Sequence, residues 1–585
     1  MITGKLINKY YRKYWYLLLL GSLALLLVDA AQLMLPSVLG DLVDDMKNLG
    51  SINHEGLMKI VLCIFLIGVA IFVGRIIWRV TILRAGFLVE ADIRKEMFVH
   101  AEKLSVRYYQ EKKVGALMAL FTNDLETIQQ VVSDGTIFTV DAVFLGGLSL
   151  IKMIMLNWQL GLIACIPLIL LVACSGVVGK AMSKRQKEKQ EAYEDMSDFA
   201  QENFTGLSVI KAFVKEIHEL RAFAKINRHN EKANVEFVRL SVLLDIIIDV
   251  LVYSIIVLVF IVGGYFVFEE KHGFTPGDVT EFVGYFNTII WPMLAISMII
   301  NLRSRGNTSL KRVSALLEEK PEIFDYLPLD VKEIEGEIEF KDFSFTYPSS
   351  SKPTLKNITL HIKKGETIGV VGKIGSGKTT FVNMLLRLYN VDEEKLFVDG
   401  NCIMKIPFKV LREHIGYVPQ DHFLFSTSVF KNIAFAKENA SIEEVKEASI
   451  FSDIHENIEG FRDGYKTLVG ERGVTLSGGQ KQRISLARAI IKDPKILILD
   501  DVVSAVDVKT EETILSNINK LRKGLTTIIV ASRVSTVKNV DRIIVFNNGE
   551  IEAFDTHERL LEISSTYKTM VELQELEKEV EGYHG

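Results

Sequence analysis

The hydrophobic pattern divides the chain into two parts. Between residues 16 and 301 lie six apolar stretches, each long enough to cross a bilayer as a helix, which takes about 20 residues. The predicted spans are 16–40, 57–80, 135–156, 159–179, 242–268 and 279–301. The pattern therefore predicts an all-α membrane domain with six spanning helices.

The polar connections between the spans predict the orientation. Two long, helix-rich connections, 81–134 and 180–241, lie on one side of the predicted membrane, and short links near residues 157 and 269 lie on the other. Lys and Arg are concentrated in the long connections and at the N-terminus. Because positive residues favour the cytoplasmic side, we expect the N-terminus and both long connections to be cytoplasmic.

The pattern changes after the last span. Apolar and polar residues alternate in "GEIEFKDFSFTYP", and strands and helices then follow one another to the end of the sequence. This order is typical of an α/β domain. We predict a transmembrane domain over 1–325, with cytoplasmic connecting helices, and a cytoplasmic α/β domain over 326–585.

The composition fits this division. The mean hydropathy is +0.23 although 24% of the residues are charged, so apolar and charged residues must be separated along the chain. The formal net charge of -5 argues against a nucleic-acid partner. The N-terminal apolar stretch has no cleavage pattern and no organelle-type presequence, so we expect a first membrane helix in a bacterial plasma membrane. The cysteines lack C-x-x-C spacing and predict neither a disulfide framework nor a metal site; they are Cys63, Cys165, Cys174 and Cys402.

The stretch "ETIGVVGKIGSGKTT" carries the first candidate chemistry. It consists of an apolar strand, a glycine-rich loop and the start of a helix, the order that a phosphate-binding loop requires. Its lysine is placed to reach the β- and γ-phosphates and its first threonine to hold Mg²⁺. A glycine-rich turn with an incidental lysine is the alternative. The predicted ATP-binding residues are Gly372, Lys373, Ile374, Gly375, Ser376, Gly377, Lys378, Thr379 and Thr380.

The stretch "KILILD" supplies a second part of such a site. It is a short buried strand ending at Asp500, whose carboxylate is expected to hold the Mg²⁺ shell together with Thr379. A strand that ends in Asp is common, so only the pairing with the loop is diagnostic. The predicted cofactors are ATP and Mg²⁺.

The stretch "LSGGQKQRISLARAI" at 476–490 resembles the signature of ATP-binding cassette (ABC) proteins. Six spans followed by one cassette are similar to an ABC exporter half-transporter. A serine and two glycines at a helix start are well suited to a phosphate anion. The resemblance implies that the signature contacts ATP held by the other cassette of a dimer, through Ser477, Gly478, Gly479 and Gln480.

The resemblance implies further roles. Tyr347 matches the aromatic residue that stacks on adenine, and Gln420 matches the glutamine that contacts Mg²⁺ and the membrane domain. Glu471 fits the exporter loop before the signature. The stretches 121–130 and 202–213 stand where the two coupling helices are expected. The alternatives are a packing role for Tyr347 and ordinary amphipathic helices for the two stretches.

Two positions depart from the family pattern. Asp501 stands where the family has its general base, a glutamate, and is shorter by one methylene, roughly 1.5 Å of reach. Ser532 stands where the family has the switch histidine that contacts the γ-phosphate. Because positioning of the attacking water tolerates little displacement, we expect slow hydrolysis in this pocket. An active enzyme that tolerates both changes is the alternative.

An intact signature beside a weakened pocket is similar to heterodimeric ABC exporters, many of which export drugs. The resemblance implies a different half-transporter as partner, with glutamate and histidine at the two positions, whose ATP site this signature completes. We expect a lipophilic or cationic small molecule as cargo and the bilayer as a further partner. A peptide or lipid exporter and a nucleotide-gated regulatory protein remain alternatives.

Acidic residues within the predicted spans are the candidates for cargo contact, because charges inside a membrane are costly. They are either part of a cavity that attracts cations or, near the cytoplasmic edge, solvated or paired. The four residues are Asp29, Asp141, Asp245 and Asp249.

Overall fold

The computed structural model describes residues 4–47, 54–269, 273–325, 327–348, 350–470, 476–502 and 508–582. At 47, 54–55, 165–180, 508 and 577–582 it describes the backbone alone, so the side chains of Cys165 and Cys174 lie outside the description. The chain forms two compact units, Met1–Glu102 with Lys113–Glu319 and Lys103–Lys112 with Lys320–Gly585. The second unit thus begins close to the predicted boundary at 325/326 and also includes a short segment from the first long connection.

Helices make up the first unit. In chain order the helices are α1 (Lys5–Lys13), α2 (Trp15–Lys47), α3 (His54–Ala101), α4 (Val106–Glu111, in the second unit), α5 (Val114–Ala119), α6 (Leu125–Val140), α7 (Gly146–Leu156), α8 (Trp158–Thr205), α9 (Leu207–Ala212), α10 (Glu216–Phe268) and α11 (Pro276–Glu318). Two π-helical turns, Leu120–Asp124 and Asp141–Leu145, precede α6 and α7.

Five of the six predicted spans are found among the described residues. The helical stretches apolar enough to cross a membrane are Trp15–Met46, Gly56–Ala101, Val114–Leu156, Glu216–Phe268 and Pro276–Glu318. The fourth predicted span, 159–179, falls within α8, where the side chains of 165–180 lie outside the description. The helices also continue well beyond the apolar stretches, because their polar extensions keep helix-forming residues.

Packing in the first unit centres on α11. This helix contacts α2, α6 and α7, while α8 and α10 pair with each other. Phe282, Phe286 and Ile289 lie on one buried face of α11 and pack with Met153 and Val259. Much of α3 and α10 exposes apolar side chains, as expected for helix faces that meet lipid or another membrane helix.

The two predicted coupling helices lie in the first unit. The stretch 121–130 covers most of the first π-helical turn and the start of α6. There the Asp124 carboxylate accepts a hydrogen bond from Ser309 Oγ of α11 at 2.6 Å. The stretch 202–213 covers the end of α8 and all of α9. Whether either stretch couples the two domains stays a prediction.

The second unit is the predicted α/β domain. Its strands are β1 (Ile338–Phe345), β2 (Leu355–Ile362), β3 (Thr367–Gly372), β4 (Leu396–Val398), β5 (Asn401–Cys402), β6 (Ile415–Val418), β7 (Ile496–Asp500), β8 (Thr526–Val530), β9 (Arg542–Asn547) and β10 (Glu550–Asp555). Its helices are α12 (Lys378–Leu385), α13 (Phe408–His414), α14 (Val429–Ala434), α15 (Ile442–Phe451), α16 (His455–Glu459), α17 (Gly478–Ile490), α18 (Val508–Leu521), α19 (Val534–Val537), α20 (His557–Ile563) and α21 (Ser565–Gly582).

Two sheets form this unit. An antiparallel sheet has the order β2-β1-β4-β5, and a larger sheet has the order β10-β9-β3-β8-β7-β6, in which all pairs except β9 and β10 are parallel. The central strands β7 and β8 are buried along their whole length, as is typical of parallel strands covered on both faces. Ligands of such sheets bind at the carboxyl ends of the strands, and β3 and β7 end there at Gly372 and Asp500.

Candidate nucleotide-binding site

The glycine-rich loop between β3 and α12 has little room for side chains. Gly372 has φ 151°, and a Cβ added there would clash with the carbonyl oxygen of Phe546. Gly377 has φ 106°, and an added Cβ would lie 2.9 Å from Leu355. A side chain at either position would strain the backbone and clash with a neighbouring residue, so both positions require glycine. The loop ends at the first turn of α12, whose N–H groups favour an anion.

Lys378 is folded over this loop. Its Nζ donates hydrogen bonds to the carbonyl oxygens of Gly372 at 2.7 Å and Lys373 at 3.1 Å. Burial lowers the pKa of the Lys378 ammonium, while the nearby carboxylates of Asp501 and Asp500 act in the opposite direction. The lysine is thus held at the loop, where a phosphate would compete for the same donor.

Asp500 is suited to Mg²⁺. It is 2% exposed at the end of β7, and its Oδ2 is buried without a hydrogen-bond partner. Burial raises the pKa of this carboxyl, and a hydrogen bond with Thr379 opposes the rise. Mg²⁺ commonly takes one or two protein oxygens and completes its shell with phosphate and water, so an unpaired carboxylate beside a threonine hydroxyl fits. Among the residues that the structure describes, no cluster of three or more His, Cys, Asp or Glu forms a site independent of nucleotide.

The two unusual residues of the sequence meet in this pocket. Ser532 Oγ donates a hydrogen bond to Asp501 Oδ1 at 3.0 Å. Asp501 has φ 56°, and its N–H donates to the carbonyl oxygen of Val530 at 2.9 Å. Gln482 Nε2 of α17 donates to the Asp501 carbonyl oxygen at 3.3 Å. Backbone and side-chain contacts therefore fix Asp501, the residue at the position predicted for the general base.

His422 is a further residue near this pocket that no sequence motif predicted. This residue follows Gln420 by two positions in "PQDHF", and its Nδ1 is buried without a hydrogen-bond partner. Burial lowers the pKa of the imidazole. The charge of Asp421, a backbone hydrogen bond at Pro419 and, least, the charge of Asp501 oppose this shift. Its place near Asp501 depends on the turn after β6. The sequence contains one signal for this residue, because His422 lies only two positions after Gln420, a predicted Mg²⁺ ligand.

The remaining predicted contacts differ in burial. Tyr347 is half-buried, donates a hydrogen bond to Thr380 Oγ1 at 3.1 Å and meets Tyr389 edge to face with ring centroids 5.2 Å apart. This places the Tyr347 ring beside the start of α12. Ile374 is fully exposed at the tip of the loop, and Gln420 is exposed after β6. The Ser376 Oγ is buried and has no hydrogen-bond partner among the described residues. Glu471 lies outside the described residues, so its predicted place in the loop before the signature stays a prediction.

The signature forms a regular helix start. Ser477 caps α17: its hydroxyl accepts from the Gln480 N–H at 3.3 Å, and its own N–H donates to Gln480 Oε1 at 3.0 Å. Ser477 and Gly478 are exposed, and a Cβ added at Gly478 would meet no atom of the described residues within 4 Å. Packing within the chain therefore does not explain that glycine, whereas close approach of a ligand does.

The four acidic residues of the spans fall into two pairs. Asp29 and Asp141 are buried in the first unit. Asp245 and Asp249 are exposed on α10. Asp141 is only 6% exposed and accepts a hydrogen bond from Trp291, so it is not solvated, and its place near the membrane edge stays a prediction.

The comparisons with known proteins agree with this architecture. The family model of the ABC transporter transmembrane region matches residues 18–293, and that of the ABC transporter matches residues 355–504. The chain is 36% identical over 583 residues to the probable multidrug resistance ABC transporter ATP-binding/permease protein YheI of Bacillus subtilis, with 99% of both chains covered. The chain belongs to the ABC transporter family.

Other relatives of this ABC transporter differ in their named cargo. It is 33% identical to the multidrug resistance-like ATP-binding protein MdlA of Escherichia coli, with 97% of this chain and 96% of that protein covered. It is 32% identical to the ATP-dependent lipid A-core flippase of Syntrophus aciditrophicus, with 85% and 82% covered. A bacterial Atm1-family ABC exporter with ATP bound has the same fold, with a TM-score of 0.77, 24% identity and coverage of 97% of this chain and 99% of that one.

The family membership confirms the coarser sequence predictions. The chain is a multi-pass membrane ABC exporter with bacterial relatives, in which a helical transmembrane domain precedes a cassette. Its cassette is that of an ATPase coupled to transport, which binds ATP. The plasma-membrane prediction is confirmed in the same way.

Proposed function

We propose that this ABC transporter is the subunit with the weakened ATP site in a heterodimeric exporter of drugs or other lipophilic compounds. The observation that carries the proposal is the hydrogen bond between Ser532 and Asp501, which stand at the positions of the histidine and the general base. In this pair the two shortened side chains bind each other. The histidine and glutamate of an active site would instead act on the γ-phosphate and the attacking water.

The parts that grip nucleotide are all retained. The glycine-rich loop, Lys378, Thr379 and Asp500 supply the contacts for phosphates and Mg²⁺, and Tyr347 lies beside them. Mg²⁺ supplies charge neutralisation for the phosphates when bound. General acid-base help contributes typically about 10²–10⁴-fold to rate, so its loss slows cleavage without removing binding. The pocket would hold ATP and hydrolyse it slowly.

The signature supports a role in a second site. Ser477 and Gly478 are exposed at the start of α17, with the helix N-terminus ready for an anion. In a dimer this surface would complete the ATP site of a different subunit that retains glutamate and histidine. ATP at both sites would clamp the cassettes together and reopen the membrane helices outward, and hydrolysis at the partner's site would reset the cycle.

Small lipophilic molecules are the favoured cargo, because YheI and MdlA are named for multidrug resistance. The lipid A-core flippase relative favours lipid as a second candidate. A nucleotide-gated regulatory protein would bind ATP and transport nothing. Uptake of a fluorescent cationic dye or a labelled lipid into inverted vesicles distinguishes these three functions.

The test compares the chain alone with the chain co-purified with a half-transporter of the same cell that has glutamate and histidine at the two positions. We expect ATP binding in both samples and fast ATP hydrolysis and dye transport only in the pair. Fast, cooperative hydrolysis by the chain alone would show that its own pocket is active. Transport that needs no second subunit would contradict the heterodimer.

A further inference from the structure

Two acidic residues from different helices lie buried together in the first unit. Asp29 on α2 is 2% exposed, and Asp141, the first residue of the second π-helical turn, is 6% exposed. Helix α2 contacts this turn, and the charge of Asp141 acts on Asp29. Each carboxyl has one buried oxygen, Asp29 Oδ2 and Asp141 Oδ1, that has no hydrogen-bond partner among the described residues.

Aromatic residues lie beside Asp141. Trp291 Nε1 of α11 donates a hydrogen bond to Asp141 Oδ2 at 2.8 Å. Phe138, one turn before Asp141, meets the Trp291 ring edge to face with centroids 6.0 Å apart. Phe138 and Trp78 pack against the same small apolar cluster, and Trp78 Nε1 is also buried without a partner. The Arg79 guanidinium lies over the Trp78 ring, 5.5 Å from its centroid. The rings of Phe138 and Trp291 are therefore the ones whose faces would attract a further cation.

Basic residues do not neutralise the pair among the residues that the structure describes. The polar groups that act on it are Asp141 on Asp29 and Trp291 on Asp141. No ion pair with either carboxylate is described for any charged residue of the helices packed around it. These residues include Arg75 and Arg79 on α3, Asp134 on α6, Lys152 on α7, and Glu281 and Arg303 on α11.

An unpaired carboxylate in apolar surroundings is costly unless a proton or another cation neutralises it. One indole N–H does not neutralise two carboxylates. We propose that Asp29, Asp141 and Trp291 form an exchange site for one monovalent cation, which is a proton in the arrangement described here and the cationic group of a transported lipophilic compound during export. The proposal rests on the proposed export function and names its cargo class.

The exchange is balanced in charge and atoms. When an organic cation arrives, the O–H bond of the protonated carboxyl breaks and the proton passes to bulk water. The carboxylate that remains pairs with the cation. No electron transfer or further reactant is involved, and the site carries the same net charge before and after.

The backbone at this site can change its arrangement. The π-helical turn at Asp141 departs from the α-helical hydrogen-bond pattern, and such turns are frequent at functional sites. Pro292, next to Trp291, removes one hydrogen bond within α11. Gly146 faces it so closely that an added Cβ would lie 2.9 Å from Pro292 Cβ. Both elements that hold the Asp141–Trp291 bond therefore contain a weak point in their hydrogen-bond ladder.

The test uses the full chain in lipid nanodiscs and tetraphenylphosphonium, a cation that carries no exchangeable proton. Calorimetry in two buffers with different ionisation enthalpies measures the protons released on binding. We expect release of about one proton per bound cation. Over the pH range in which the carboxyl is protonated, the affinity should rise with pH by up to about tenfold per pH unit. Triphenylphosphine oxide, which is similar in size but neutral, should release none.

The variants separate this inference from the proposed function. Asp141→Asn retains an acceptor for Trp291 but should abolish proton release and weaken cation binding at least about tenfold. Asp195→Asn, at an exposed carboxyl in the polar extension of α8, should leave both unchanged. If Asp141→Asn does not fold, Asp29→Asn replaces it, and the same loss of proton release and of cation affinity is expected. Binding without proton release, or equal binding by Asp141→Asn, overturns the exchange site and leaves export intact. No cation transport by the wild-type pair overturns the proposed cargo.

Discussion

Ser532 and Asp501 form a hydrogen bond of 3.0 Å at the ends of two neighbouring parallel strands. A serine hydroxyl and an aspartate carboxylate thus contact each other where the family has two separate catalytic groups. Because the two side chains share this hydrogen bond, the replacements of the family's glutamate and histidine at these two positions form one structural change. Substitutions at either position should therefore alter the pocket together.

The first prediction concerns the roles of the two half-sites in the assembled pair. Asp501→Asn should leave most of the ATPase activity, because the cleaved ATP is expected in the partner's site. Ser477→Ala together with Gly479→Ala should remove most of it, since those positions are expected to face the partner's nucleotide. Steady-state phosphate release measures both, and nucleotide photolabelling checks that the variants still bind ATP. The opposite ranking of the two variants would reverse the assigned roles.

The second prediction restores the missing groups. In the chain alone, Asp501→Glu with Ser532→His should raise ATP hydrolysis by at least about tenfold, since positioned acid-base groups contribute about 10²–10⁴-fold. Each single variant should raise the hydrolysis rate much less. Asp501→Glu alone, for example, loses the hydrogen bond with Ser532 and gains no imidazole to orient the reacting groups. Single-turnover hydrolysis of pre-bound ATP measures the rate. A double variant as slow as the wild type would place the weakness outside these two positions.

Part of this site could be predicted from sequence because its signals are local. Gly372, Lys378 and Asp500 lie in short motifs that specify a loop, a helix start and a strand end, and the structure brings them together. The Ser532–Asp501 bond joins residues 31 positions apart. Its existence depends on β7 lying next to β8, which no single motif encodes.

The lengths and contacts of the membrane helices are also only partly predictable from local sequence patterns. Hydropathy predicts a second span of 57–80, whereas α3 continues to Ala101. Its extension is polar but carries helix-stabilising pairs such as Glu90 with Arg94, which a hydropathy pattern does not detect. The meeting of Asp29 with Asp141 depends on packing between distant helices, so the sequence could name both residues as unusual but could not place them together.

The third prediction tests the glycine-rich loop. Gly372→Ala should reduce ATP binding by more than about tenfold, because its Cβ would clash with the Phe546 carbonyl oxygen and φ is 151°. The strain should also cost about 1–3 kcal/mol of stability. Ile374→Ala, at the fully exposed tip of the same loop, is the matched control and should retain binding. Equilibrium binding of a fluorescent ATP analogue compares them, and equal affinities would exclude a tight phosphate loop.

The fourth prediction concerns pH and the Mg²⁺ ligand. Burial raises the pKa of Asp500 above its usual value. Between the unfolded and folded pKa values the folded chain binds more protons, so this group lowers stability as pH rises. Asp500→Asn should therefore raise, or leave unchanged, the melting temperature of the nucleotide-free protein at neutral pH. It should also remove the extra melting-temperature gain that ATP with Mg²⁺ gives over ATP with EDTA.

Asn has the size of Asp but lacks the charge that the metal requires, so these two effects must appear together. Glu511→Gln, a buried carboxyl that accepts a hydrogen bond from Thr536, is the matched control. It should lose stability, because its partner loses a charged acceptor, and keep the Mg²⁺-dependent gain. Thermal unfolding from about pH 5 to 8, with and without Mg²⁺, measures all three proteins. A full Mg²⁺-dependent gain in Asp500→Asn would exclude this carboxylate as the ligand.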